Sequence, residues 1–202
     1  MWKKTLGDLP PIPMAQRNGK TVLLPAETYS AHANSENPEL YAIFPYRLYN
    51  LGKPDFAVAK DSFDARSERA RTCWNQSGIQ AALVGDVQEA KGAMAACFSA
   101  SSAPQRFPGF WPPGNDWTPD MDNGGTGMMT LQFMLMQCDG QKIALLPAWP
   151  KEWNVDFKLH APRQTVVEAS VRDGKIVRLS TTPASRAKDV AVMPPFQNAP
   201  SK

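Results

Sequence analysis

The sequence predicts a mainly α chain that ends in a small antiparallel β part. Three observations predict it. Apolar residues recur at helical spacing from about Pro54 to Cys138. Beyond Gly140 the period falls toward two. Asp173-Gly174 then joins two alternating runs, a hairpin signal. The join falls near Gly140, giving a helical part over 1–140 and a β part with an irregular tail over 141–202.

The elements follow in order. Up to about Ala33 the pattern is irregular, except that Lys20 to Leu24 forms one short extended piece ended by Pro25. Pro54 suits a first helical turn, and Phe56, Ala59, Phe63 and Ala70 carry a helix to about Arg71. "CWNQSGIQAALVG" is a shorter helical piece ended by Gly85. Asp86 and Glu89 have the spacing of a capping box, and Val87, Ala90, Met94 and Cys97 mark one face of the helix they open. Met128, Leu131, Leu135 and Cys138 trace another helical face, with Gly140 as its C-terminal cap. "KIALLPAW" is a short strand broken by Pro147. Thr165, Val167, Ala169 and Val171 share one side of the next strand, which pairs with "KIVRLS", and "DVAVM" is a further strand.

Composition narrows the function. Of 202 residues, 43% are apolar and 20% charged, the balance of a folded chain. A net charge of +3 with scattered Lys and Arg argues against a nucleic-acid partner. No apolar run is long enough to span a membrane, and "MWKKTLGDLPPIPM" has a basic start without the apolar core of a signal peptide. Cys73, Cys97 and Cys138 have no CxxC spacing and His32 and His160 are the only histidines, so no metal or other cofactor is expected.

The richest stretch is "RFPGFWPPGNDWTPDMDNGGTGMM". It sets Trp111 and Trp117 among Asp116, Asp120 and Asp122. Sugars present flat CH faces and rims of hydroxyls; aromatic rings stack on the first and carboxylates accept from the second. Inverting hydrolysis also needs an acid and a base with a water between them. The plainer reading is that the tryptophans fill the loop's own core and the aspartates cap helices, Asp122 being the natural N-cap. Glu36 and Glu39, either side of Asn37-Pro38, are dipole partners of a helix or part of a substrate rim. Trp74 is a stacking platform or a core residue. Met128, Met129, Met134 and Met136 are expected to fill the core, and His160 to be satisfied at an interface.

"ENPELYAIFPYRLYNLGKPD", "CWNQSGIQAALVGD" and "PDMDNGGTGMMTLQFMLMQCDGQKIALLPAWPKEWNVDFKLHAP" follow one another as in the C-terminal end of six-hairpin glycosidases. The chain resembles bacterial relatives of the inverting alpha-L-fucosidase family. The resemblance implies the last helical hairpins of an (α/α)6 toroid followed by a small antiparallel β domain. It implies a C-terminal fragment of a glycoside hydrolase acting on oligo- or polysaccharide, secreted or periplasmic in its relatives. It carries the catalytic role onto Asp122, matching a loop aspartate that lines the sugar site and supports the water-activating base. Substrate contacts are then expected at Glu36, Asn37, Trp74, Trp111, Asp116, Trp117, Asp120 and Asn123. Two departures stand out: Asn123 and Gly124 are exchanged relative to the family's order, and Ser35 to Glu39 lack the family's histidine. The family's acid is a glutamate on an earlier hairpin, so this chain alone is expected to be inactive. The alternative is a non-catalytic carbohydrate-binding or structural fragment. Apolar faces led by Phe56, Val87 and Met128 would leave toroid surfaces open to self-association.

Overall fold

The computed structural model describes residues 2–30, 34–99, 108–111 and 119–196. They belong to two units, Met1–Arg69 and Ala70–Lys202.

The first unit opens with helix α1 (Trp2–Gly7), which buries nothing. Strands β1 (Met14–Arg17) and β2 (Lys20–Leu23) form a hairpin, with Met14 opposite Leu23 and Arg17 opposite Lys20. Asn18 at φ 51° and Gly19 at φ 76° make the turn. Both angles are positive, which is what a two-residue hairpin turn matched to strand twist requires. The pleat sends Val22 and Leu23 into a core shared with Leu40, Ile43, Ala59 and Phe63. Leu40 comes from a 3₁₀ turn (Pro38–Ala42), and Ala59 and Phe63 from α2 (Phe56–Ala65). Ser62 Oγ accepts from the Leu23 amide at 2.8 Å and donates to Val58 O at 2.6 Å, fastening β2 to α2. The helix stops at Ala65 rather than running on to Arg71. Arg66 turns extended (φ −57°, ψ 144°), lays its guanidinium over the Phe63 ring at 3.7 Å and donates to Phe63 O at 2.7 Å.

The second unit packs α3 (Ser77–Leu83), α4 (Val87–Ser99) and α5 (Met121–Leu135) together. Every residue of α3 is buried. Gly78 permits this, because a Cβ there would lie 2.7 Å from Thr130 Oγ1 and 2.9 Å from Ala93 Cβ. Asp86 opens α4 as the sequence suggests, its Oδ1 accepting from the Glu89 amide at 3.1 Å, while Glu89 pairs with Arg71 at 2.5 Å. Chain continuing from α5 becomes β3 (Met136–Asp139), antiparallel to β4 (Lys142–Leu145). Strands β5 (Val155–Ala161), β6 (Thr165–Arg172) and β7 (Lys175–Thr182) form an antiparallel meander, turning at Asp173 (φ 49°) and Gly174 (φ 70°). Strand β8 (Val190–Val192) returns to lie parallel to β4. Thr165, Val167, Ala169 and Val171 face inward from β6, as their alternation predicts. On the other face Lys158 pairs with Glu168 at 3.0 Å and holds that carboxyl below its ordinary range.

The mainly α reading is therefore overturned. Among the described residues 35% are helix and 24% strand, with three small sheets: a mixed α/β fold, not the last hairpins of a toroid followed by a β domain. Strands arise where a helical or irregular reading stood. Strand β3 is the clearest case. Met136 turns extended (φ −152°, ψ 133°), Cys138 pairs opposite Ile143, and the Gln137 side-chain Nε2 donates to Ala82 O at 2.7 Å and Phe133 O at 3.0 Å. Pairing with the adjacent β4, helped by the Gln137 bond to Ala82, thus wins over a helical period that continues to Cys138. Two smaller expectations also change. Met134 and Met136 fill the core, but Met128 and Met129 are 48% and 38% exposed. His160 lies exposed on β5.

Candidate functional site

The N-terminal end of α5 gathers most of the candidate residues that the structure describes. Its N-cap is Asp120, not Asp122: Asp120 Oδ1 accepts from the Asn123 amide at 2.9 Å, and its own amide donates to Phe110 O at 2.6 Å. A carboxylate here satisfies an orphan helix donor and meets the positive end of the helix dipole. Asp120 is only 4% exposed, and its Oδ2 is buried with no hydrogen-bond partner among the described residues.

Asn123, one turn in, is fully buried. Its Oδ1 accepts from the Cys73 amide at 2.8 Å, and its Nδ2 donates to Cys97 O and Gly109 O, both at 2.9 Å. Thr126 Oγ1 donates to Cys73 O at 3.1 Å. One amide side chain thereby ties together the approach to α3, the end of α4 and the segment around Gly109. Asn123 faces backbone rather than an open cleft. Burial raises the pKa of the neighbouring Cys97 thiol, consistent with a packed, unreactive cysteine.

These ties position three neighbouring candidates. Trp74 follows the anchored Cys73 and is 41% exposed. Trp111 follows Phe110, whose carbonyl is bonded to Asp120, and is half-buried. Asp122 sits in the first turn of α5 with its side chain exposed. Each stands one residue from an anchor on the same helix end. Indoles and an exposed carboxylate can stack on an apolar face and accept hydroxyl donors. Asp116 and Trp117 lie outside the described residues.

Glu36 and Asn37 belong to the first unit. Asn37 is buried, its Nδ2 donating to Glu68 O and its Oδ1 accepting from Glu68 N, both at 3.0 Å. Glu36 is half-buried and accepts from the Tyr41 hydroxyl and from Asn34 Nδ2. The bond to Glu36, reinforced by burial, pushes the Tyr41 phenol from 10.0 up to about 12. The folded pKa lies above the unfolded one, so this contribution is complete below pH 10.0 and is lost as pH rises through about 12. In a titration of tyrosinate absorbance, one of the four tyrosines should ionise late, and Tyr41→Phe should remove that late step. Four phenols titrating together in the native protein would contradict the Tyr41–Glu36 bond.

Among the described residues no group of three His, Cys, Asp or Glu side chains could hold a metal ion, and no helix is long and apolar enough to cross a membrane. No family model matches the chain, and no curated protein matches it significantly. The site must therefore be read from its own chemistry. The sequence signal for the cap was present in Asp120, which stands three residues before Asn123 and opens an apolar run. Nothing in the sequence marks Asn123 as the tie between three segments, because its partners are backbone groups of Cys73, Cys97 and Gly109.

Proposed function

We propose that this chain forms the carbohydrate-contacting part of a glycoside hydrolase, with the N-terminal end of α5 as the contact. One observation carries the reading: a single helix end holds Trp74, Trp111 and the exposed Asp122 beside a buried carboxylate oxygen of Asp120 that has no partner among the described residues. The indoles supply the apolar faces on which pyranose rings stack. Asp122 accepts a sugar hydroxyl or orients the water that an inverting reaction adds to the sugar.

Calorimetric titration of the chain with oligosaccharides tests this. Trp74→Ala and Asp122→Asn should each weaken binding at least tenfold, about 1.4 kcal/mol, with the circular dichroism spectrum unchanged. If no oligosaccharide binds, or both variants bind as well as the parent, the proposal fails. The structural reading would then take its place. Asn123 favours it, since that side chain serves the fold alone.

A further inference from the structure

The first unit contains a cleft of about 330 Å³ that shares no residue with the α5 site. Three pieces of backbone converge on it. Strand β1 brings Arg17, the 3₁₀ turn brings Glu39 in its first turn, and the chain leaving α2 brings Ser67. Tyr29 and Ser30 complete the polar wall, with Leu23 and Pro25 as an apolar surface. Arg17 Nη2 donates to the Tyr29 hydroxyl at 2.5 Å, which holds a flexible guanidinium and a ring against one another.

The chemistry of this lining selects a class of ligand. One guanidinium and one carboxylate cancel, so a net anion would meet Glu39 and a net cation would meet Arg17. Serine and tyrosine hydroxyls both donate and accept, which suits a ligand whose rim does the same. The apolar surface takes a CH face. The volume lies near the lower end of the roughly 300–1,000 Å³ of small-molecule pockets, fitting one ring rather than a chain of them. From these features we infer that the cleft is a second ligand site, taking a neutral polyhydroxylated molecule of single-sugar size. The inference stands independently of the α5 contact.

Amide chemical-shift mapping on the whole chain tests it. The neutral probes are methyl β-D-glucoside, methyl β-D-galactoside and myo-inositol; glycine and inorganic phosphate are the charged controls. A neutral probe should shift the amides of Arg17, Tyr29, Ser30 and Ser67, and Arg17→Leu should weaken that binding about tenfold. Ser67→Ala, a smaller change, should weaken it several-fold and guards against a loss that comes from the hairpin unfolding. No shift at these amides with any neutral probe overturns the inference, as do larger shifts with glycine or phosphate. Shifts confined to Trp74 and Asn123 would overturn it while leaving the α5 reading intact. Shifts in the cleft alone would support it and count against that reading.

Discussion

Asn123→Ala should be among the most damaging single changes in the second unit, costing about 3–5 kcal/mol. The truncation leaves the Cys73 amide and the carbonyls of Cys97 and Gly109 without the partner that the structure gives them. Each buried orphan costs about 1–3 kcal/mol, and the three costs are not fully additive because water or a small shift relieves some of them. Against a typical domain stability of about 5–15 kcal/mol, that is a large share. Asn123→Asp is the informative companion. It keeps an acceptor for Cys73 but sets a carboxylate against two carbonyl oxygens, so it should be nearly as harmful. Two units make a single global transition unsafe to assume, so hydrogen exchange of the α3, α4 and α5 amides is the right measurement alongside urea unfolding. A loss below about 1 kcal/mol would mean that the three segments are held by something else.

Why the sequence discloses some of this and hides the rest follows from what each signal reports. Strand β6 was legible because Thr165, Val167, Ala169 and Val171 are buried on one face, and burial on one face is what alternation encodes. Strand β5 carries the same signal, with Val155, Phe157 and Leu159 alternating against exposed Asp156, Lys158 and His160, yet the helix-then-strand outline leaves it unassigned. The β1–β2 hairpin is harder. β1 buries none of its residues fully, so its period is faint, and only Asn18-Gly19 announces the turn. Strand β3 was masked, since the helical period runs on to Cys138 and Gly140, at φ 57° in the tight turn to β4, reads equally as a helix C-cap, while the bond from the Gln137 side chain to Ala82 O comes from far along the chain. The same limit governs the site. Trp74, Trp111 and Asp122 could be suspected from residue type, but the ties that bring them to one helix end run through backbone groups.

The two adjacent glycines of α5 should respond in opposite directions to the same substitution. At Gly125 nothing lies within 4 Å of an added Cβ, so Gly125→Ala should stabilise the helix by up to about 1 kcal/mol, the difference in helix propensity. At Gly124 the added carbon would fall 2.2 Å from Phe110 Cε1 and 2.6 Å from its Cδ1 and Cζ. Carbon atoms rest at about 3.5–4.0 Å, so the ring must move. Overpacking of this kind costs about 1–3 kcal/mol and occasionally more, which outweighs the propensity gain. The displacement also reaches further than the helix. Phe110 O accepts the Asp120 amide at 2.6 Å, and Trp111 is the next residue, so moving the ring strains the cap and shifts an indole of the proposed contact. Gly124→Ala should therefore lose about 2 kcal/mol of stability, the overpacking cost less the propensity gain, and also weaken oligosaccharide binding without adding or removing a group that could touch sugar. A double-mutant cycle with Phe110→Leu provides the check, because a smaller, more pliant side chain should recover part of both losses. If Gly124→Ala stabilises the protein as Gly125→Ala does, the Phe110 ring does not lie against α5, and the placement of Trp111 at this helix end falls with it.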